Sequence, residues 1–446
     1  MVQRETTLTL FVHSFVTIRR AGIALVATLA LVLAACGGSS ASSPTATPVG
    51  SPTTIATATS EPGPPSPQVE RVIEHMRVLS EEIGSRLAGS ENIDRAAEYA
   101  REQFERWGYV VELQDFSDSR PEVRIFAQVH AEPEPRDLHS IVFLGSKPGS
   151  VGGRLVDVGS GLDEEFPADT GGAIVLIQRG DTLFNDMAAR AKAHGAIGAI
   201  VANNKEGLFR GTIEPRADLP FAAISQVDGE ALREQLADGA VEVSIDVPAS
   251  IDGTNVIARP PSGTCRTLSG AHYDTVPWAR GAVDNASGSA LVLELARASS
   301  AAGLTDHCFA LFSAEEEGLL GSKHFVSLMS EEAKTNLAAY FNYDVVVGGA
   351  TVDVIGDVDL ATEAVALGTQ AGGDFVLAKL AQGSSSDHAS FSKVGIPVAM
   401  MTVDDLGVLH TERDTFEFAS QHTEPLQPIA DAAFELIQSV LPTASP

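Results

Sequence analysis

Two histidines and a set of carboxylates stand at the ends of apolar, strand-like runs in this chain. His272-Tyr273-Asp274 follows residues 266–271, Glu315-Glu316-Glu317 follows 308–313, Asp344 closes the stretch Tyr340-Phe341-Asn342-Tyr343, and His410 comes after 398–402. Imidazole nitrogen and carboxylate oxygen are donors that zinc accepts, and an open position on such an ion activates water. His272 is a candidate metal ligand, and Asp274, two residues on, is placed to hold the imidazole through its other ring nitrogen. Asp284 lies in the Gly/Ser-rich stretch Gly281-Ala282-Val283-Asp284-Asn285-Ala286-Ser287-Gly288 and can bridge two metals with its two oxygens. Its plainer alternative is a cap on the helix that starts near Ser287. Within Glu315-Glu316-Glu317 one carboxylate can coordinate metal while its neighbour takes a proton from bound water. Acidic runs are more often solvated loops, but the apolar strand before this one and Gly318-Leu319-Leu320-Gly321 after it argue against simple solvation. Each element alone has a bland explanation. The five together, four after strands and Asp284 in the loop before a helix, gather where open α/β sheets place functional groups and point to a paired-metal hydrolase.

Such groups need a sheet to hold them. From about Asn255 onward, strands at 255–258, 266–271, 308–313 and 398–402 alternate with helices at 287–299, 321–327, 360–371 and 425–440. That alternation predicts an α/β sandwich with a mostly parallel central sheet. Upstream, Val72, Met76 and Leu79, then Ala96, Tyr99, Ala100, Phe104 and Trp107, recur at helical spacing. Gly108 stops that helix, and Tyr109-Val110-Val111-Glu112-Leu113 reads as a strand. Residues 119–250 differ in character, with short strands at 141–144, 174–178 and 197–201 between Gly- and Pro-rich turns and one clear helix at 185–194, ended by Gly195. His130, His139 and His194 lie there in isolation, and lone histidines are seldom ligands. The block is expected to be an inserted domain.

Composition narrows the setting. The chain has 446 residues and a formal net charge of -29, which argues against nucleic acid or an anionic lipid surface as a partner of the folded part. Arg19 and Arg20 precede an apolar run at 21–32 and then Leu33-Ala34-Ala35-Cys36, the layout of a secretory signal and too short a run for a comfortable membrane span. Leu-Ala-Ala-Cys resembles the bacterial lipobox, which implies that Cys36 carries lipid and becomes the mature N-terminus. Residues 1–35 are therefore expected to be a signal peptide and 36–68, rich in Ser, Thr and Pro, a disordered tether. The folded part would then work outside the cytoplasm, anchored at the outer face of a bacterial membrane through Cys36. Cys265 and Cys308 each lie seven residues before a motif. If their strands are neighbours the cysteines sit at equal depth and can pair; two buried free thiols are the alternative.

The motifs in order are His272-Tyr273-Asp274, Gly281-x-x-Asp284-Asn285-x-Ser287-Gly288, Ala314-Glu315-Glu316-x-Gly318-Leu319-x-Gly321-Ser322, Asn342-Tyr343-Asp344, Ser386-Asp387-His388 and His410-Thr411-x-x-Asp414-Thr415. They resemble the co-catalytic di-zinc exopeptidase family that includes bacterial leucyl aminopeptidase, aminopeptidase Y and glutamate carboxypeptidase. Gly84-Ser85-Arg86-x-Ala88-Gly89-Ser90 resembles that family's entry segment. The block holding Gly172-Ala173-Ile174-Val175-Leu176-Ile177-Gln178-Arg179-Gly180 and Ala193-His194-Gly195-Ala196 looks like a protease-associated domain. The resemblance implies a three-layer peptidase domain over 69–118 and 251–442, with a small β-rich protease-associated domain inserted at 119–250. It implies one zinc on His272 and Asp344, another on Glu316 and His410, Asp284 bridging, Glu315 as general base and Asp274 orienting His272. Cobalt or manganese could replace zinc at such a donor set. Many members have Tyr before the C-terminal His, where this chain has Leu409, so oxyanion stabilisation must rest on metal or another donor.

The resemblance implies a metallo-aminopeptidase acting on peptides or proteins. A carboxypeptidase or dipeptidase of the same family would need a basic pocket, for which Arg280 and Lys393 are the candidates near the motifs. A single-zinc glutaminyl cyclase and a non-catalytic binding protein share the fold; intact ligands speak against the latter. His388 is a polar group near the site without being assigned as a ligand.

Overall fold

The computed structural model describes residues 64–119, 128–132, 136–205, 207–380, 384–404 and 407–440. The expected signal peptide, Cys36 and most of the expected tether lie outside these. Two eight-stranded sheets organise the described chain. The first strand, β1 (Val110–Asp118), belongs to the main sheet. Then come β2 (Gln128–Glu132), β3 (Arg136–Leu138), β4 (Ser140–Val142), β5 (Gly149–Asp157), β6 (Ile174–Gln178), β7 (Gly198–Ala202), β8 (Phe221–Ile224) and β9 (Glu242–Val247), which build the second sheet. The main sheet resumes with β10 (Ile251–Arg259), β11 (Thr267–His272), β12 (His307–Phe312), β13 (Ala339–Tyr343), β14 (Thr351–Gly356), β15 (Asp374–Leu377) and β16 (Val398–Val403).

The main sheet runs in the order β1-β10-β12-β11-β13-β16-β14-β15. Its four middle strands, β12-β11-β13-β16, are parallel, so their carboxyl ends share one edge. These strands are buried along their length, as a sheet covered on both faces requires. Side chains alternate between the covers. Phe309, Leu311, Phe341 and Tyr343 join a core with helices Val69–Arg77, Glu91–Arg106, Ser287–Ala301 and Leu426–Val440, while Cys308, Ala310, Phe312 and Tyr340 join Phe325, Val326 and Phe391 on the opposite face. Three layers result.

Local signals explain the helices beside the site. Ser90 caps Glu91–Arg106 by accepting the Ile93 N–H, and Gly108, at φ +87°, ends it with a bond to the Glu105 carbonyl. Helix Ser287–Ala301 is buried almost throughout, and an added Cβ on Gly288 would lie 2.2 Å from the Tyr343 carbonyl oxygen. Only glycine lets that helix approach β13 so closely. On the same helix Arg297 and Glu294 form a buried pair whose remaining bonds reach Pro64 O, Ser66 O and Gln68 N, which fastens the start of the described chain to the core.

The second sheet, in the order β3-β2-β9-β5-β6-β7-β8-β4, leaves the main sheet after β1 and returns at β10. It carries helix Phe184–Ala193, as expected, and a second helix, Gln226–Asp238, that the sequence reading passed over. The signal was present: Ser225 caps that helix by accepting the Asp228 N–H at 3.0 Å. Strands β14 and β15 were also unforeseen; β14 alternates half-buried and buried residues and β15 is a largely exposed edge. No helix among the described residues is long and apolar enough to cross a membrane.

Cys265 and Cys308 are joined, with Cα atoms 5.3 Å apart. The two do not lie at equal depth on neighbouring strands. Leu268 is the β11 residue in register with Cys308, so Cys265 reaches its partner from the turn before the strand. Replacing both cysteines with serine removes a cross-link with a sequence separation of 43 and is expected to cost about 3–4 kcal/mol in the chain-entropy account. Urea unfolding of the two proteins checks this; coincident midpoints would refute it.

Candidate metal centre

The parallel strands deliver the candidate ligands to one edge of the sheet. His272 is the last residue of β11 and Asp344 the first after β13. Gly270 is in register with Asn342, which brings His272 and Asp344 to the same height. Glu315 and Glu316 follow β12, and His410 lies beyond β16. Asp284 comes from the turn leading into helix Ser287–Ala301 and is joined to Asn285 by a cis peptide bond.

Asp284 sits between the imidazoles. Its Oδ1 is 3.1 Å from Nε2 of His272 and its Oδ2 3.1 Å from Nε2 of His410. Asp344 Oδ1 lies 3.2 Å from His272 Nε2, and Glu316 Oε2 lies 3.2 Å from His410 Nε2. The ligand atoms of His272, Asp284 and Asp344 all fall within 4.8 Å of one another, as do those of Asp284, Glu316 and His410. These are two triads of donors that could each hold a metal ion, and they share one carboxylate. The donor set fits a cation, since Glu316 also holds a buried Oε1 with no hydrogen-bond partner.

The surroundings fix each ligand's main chain. Asp274 Oδ1 is 3.6 Å from His272 Nδ1, on the expected side but beyond hydrogen-bond length. Its two oxygens instead accept the N–H groups of Glu315 and Glu316, each at 3.1 Å. Asp414, which the sequence motif contained without a role, accepts the N–H groups of Val283 at 2.6 Å and Asp284 at 3.1 Å. Asn285 Oδ1 accepts the N–H of Val345, and its amide donates to the Tyr343 carbonyl, so the Asp284 turn is tied to the strand that presents Asp344. Ser289 donates to the His272 carbonyl at 2.7 Å. Arg86, fully buried, donates to the carbonyls of Tyr273 and Gly281 and so joins the N-terminal segment to both ligand-bearing loops. The non-glycine residues with left-handed φ among those described are Ala314, Leu319, Val345 and His410. All lie within or beside these loops, the pattern of backbone strain held at a functional site.

Considered by themselves, the side chains show how strongly the site demands positive charge. The Glu316 carboxylate, against the opposing effect of burial, pushes His410 up to about 12. Burial works against a charged His272 as well, yet Asp344 and the neighbouring aspartates outweigh it and hold its pKa well above the ordinary value. Burial, with the charges of Asp344 and Glu316, drives Glu315 well above the usual carboxylate range. Several carboxylates, most of them buried, crowded beside two imidazoles are stable only with compensating cations or protons.

A cleft of about 780 Å³ opens onto Glu316 and His410, bounded partly by residues of the second sheet's unit, His139 among them. His139, read as an isolated histidine, stacks on Trp278 with ring centroids 4.6 Å apart. His194 meets the bland expectation, stacked on Phe166 and paired with Asp163. Arg280 and Lys393 are absent from the cleft's lining, where the arginines are Arg210 and Arg413. Leu409 packs against the main core. Asp387 is fully buried, its carboxyl pushed up to about 7 chiefly by burial, and burial also lowers His388.

Comparison with known proteins agrees with this geometry. Residues 255–436 match the profile of peptidase family M28, and residues 151–232 match that of the PA domain. Aminopeptidase YwaD of Bacillus subtilis is 31% identical over 379 residues, covering 79% of this chain and 80% of its own. Leucine aminopeptidase 2 of Trichophyton equinum is 35% identical over 190 residues, but these are only 41% of this chain and 38% of the fungal one. Among solved structures, BSAP, a zinc aminopeptidase from Bacillus subtilis, superposes with a TM-score of 0.63 at 26% identity, covering 84% of this chain and 95% of its own. The aminopeptidase from Aneurinibacillus sp. strain AM-1 gives 0.54 at 28% identity, covering 84% and 94%.

A histidine ligates metal only when the coordinating nitrogen is unprotonated. The carboxylates around them hold His410 and His272 above their ordinary values, which favours the protonated imidazoles before metal arrives. Adding zinc to the stripped protein at pH 7 should therefore release protons, and affinity should rise with pH. Calorimetry in two buffers of different ionisation enthalpy measures this directly; identical heats would contradict the electrostatic picture.

Proposed function

The chain belongs to peptidase family M28 and is a zinc-dependent aminopeptidase, and from that premise we propose a lipid-anchored, extracytoplasmic enzyme that removes N-terminal residues from peptides with two zinc ions. The observation that carries the two-ion reading is Asp284, whose oxygens face His272 and His410 separately at equal distances of 3.1 Å. In this reading His272 and Asp344 hold one ion, Glu316 and His410 hold the other, and Asp284 serves both. Residues 69–118 and 251–442 form the peptidase domain and 119–250 the inserted domain, a division supported by β1 and β10 pairing side by side in the main sheet. The lipobox-like Leu33-Ala34-Ala35-Cys36 supports attachment through Cys36, and 36–68 supplies the tether.

Bound there, the ions would polarise the scissile carbonyl and lower the pKa of the attacking water. The side chains do the rest. Glu315 takes the proton from that water and passes it to the leaving amine. Burial raises its pKa, which makes it a stronger base toward that proton than a solvated carboxylate. Asp274 holds the main chain of Glu315 and Glu316, so base and ligand keep one spacing. Asp414 and Asn285 do the same for the turn that carries Asp284.

Glu315→Gln should lower kcat for leucine p-nitroanilide by about 10²–10⁴-fold, the usual share of a general base, with bound zinc unchanged by elemental analysis. Near-normal turnover in a metal-replete variant would remove Glu315 from the mechanism. Asp274→Asn leaves one acceptor where two N–H groups need accepting. It is expected to weaken metal affinity or activity about 10–100-fold, as loss of such supporting partners does; chelator competition measures it. Cys36→Ser should move the protein from the membrane fraction to the soluble one, and unchanged partition would exclude the lipid anchor.

A further inference from the structure

The cleft beside the metal centre is built by two parts of the chain, and the second part has apolar side chains there with no duty in a core. Val227, at the first turn of helix Gln226–Asp238, is 68% exposed, and Leu208 is half-buried; neither belongs to the inserted unit's hydrophobic clusters. Both line the cleft that reaches Glu316 and His410, together with Phe209 and, from the main unit, Trp278. Phe209 is a rigid backing, with its ring 5.6 Å from Phe143 and 5.8 Å from Phe184. Trp278 is the joint. Its indole N–H donates to the His410 carbonyl at 2.9 Å, and its face stacks on His139 of the inserted unit. His139 Nε2 in turn lies 3.6 Å from the Glu412 carboxylate. The apolar wall therefore stands at a defined position relative to one of the two ligand triads.

The dimensions suit a peptide more than a single residue. About 780 Å³ lies within the range of sites that hold drug-sized ligands. The rim is open, since Arg210, Val227, Glu412 and Arg413 are exposed. An aminopeptidase must close around the one residue it releases and leave an open path for the rest of the substrate, whose length varies. The cleft has the form of that path. At the rim Arg210 and Arg413 stand near the exposed Glu412, while Asp228 lies buried in the wall. Asp228 is further occupied by the Ser225 hydroxyl and the His139 N–H.

Resting on the aminopeptidase reading, we propose that this cleft binds the residue on the carboxyl side of the scissile bond, and that Leu208, Val227 and Trp278 select an apolar side chain there. The inserted domain then sets specificity for the penultimate residue of the substrate.

Three substrates separate the possibilities: leucinamide, which has no residue beyond the scissile bond, Leu-Gly-amide and Leu-Phe-amide. The zinc-loaded full chain should hydrolyse all three, with kcat/KM for Leu-Phe-amide about tenfold or more above Leu-Gly-amide, the discrimination an apolar pocket supplies. Val227→Asp and Leu208→Ser, both surface changes on the inserted unit, should each remove most of that preference while leaving leucinamide hydrolysis within about twofold of the parent. Equal kcat/KM for the two dipeptide amides, or an equal loss on all three substrates in the variants, would overturn the subsite while leaving the aminopeptidase intact. Failure of the parent protein to cleave any of the three would instead overturn the aminopeptidase reading, and the subsite with it.

Discussion

The rest of the structure depends on one electrostatic constraint: largely buried carboxylates are crowded beside two imidazoles, of which only His410 is exposed at the cleft. Asp284 is the centre of that crowd, with an imidazole nitrogen 3.1 Å from each oxygen. The donor atoms of each triad, two carboxylate oxygens among them, lie within 4.8 Å of one another, and like charges that close repel by several kcal/mol unless positive charge intervenes. His410, raised chiefly by Glu316, and Glu315, raised chiefly by burial and then by its carboxylate neighbours, both respond to that demand. A divalent cation answers it better than protons do, because it satisfies several carboxylates at once and leaves the imidazoles neutral as ligands.

Holding such a cluster against its own repulsion falls to the main chain. Four parallel strands end at the same edge, and the bonds that matter next run from side chains to peptide groups. Asp274 takes two N–H groups of the glutamate loop, Asp414 takes two of the Asp284 turn, and Arg86 takes carbonyls from the loops after β11 and before the helix at Ser287. Left-handed backbone at Ala314, Val345 and His410 shows that the loops are bent into conformations the chain would not choose alone. The strain is tolerable because the supporting strands are buried on both faces and cannot relax.

The inserted unit adds a different kind of constraint. Its contact with the main sheet's unit at His139 and Trp278 lies against the carbonyl of His410, so the position of the cleft's outer wall and the seat of one candidate ligand share a single tryptophan. Access to the centre and the centre itself are thus linked through packing rather than through charge.

Much of this was legible in the sequence, for a local reason. Strand-end placement of His272, Glu316, Asp344 and His410 follows from apolar runs and the residues after them, and the parallel core follows from strands alternating with helices. Neither needs knowledge of distant contacts. Strand β14, half-buried, and the edge strand β15 escaped because their patterns are weak without neighbours, and helix Gln226–Asp238 escaped although Ser225 marked its start.

By itself, then, the amino-acid order determined the types of the candidate ligands, their spacing along the chain and the kind of sheet that could gather them. Tertiary structure decided where each hydrogen bond goes. Asp274 was expected to hold an imidazole and chiefly holds two peptide groups; Cys265 pairs from a turn and not from equal depth; His139 left its isolation to meet Trp278. The physical reason is common to all three. A side chain's type and the period around it are local properties, but its partner is whatever the folded chain brings within about 3 Å, across separations that no local pattern encodes.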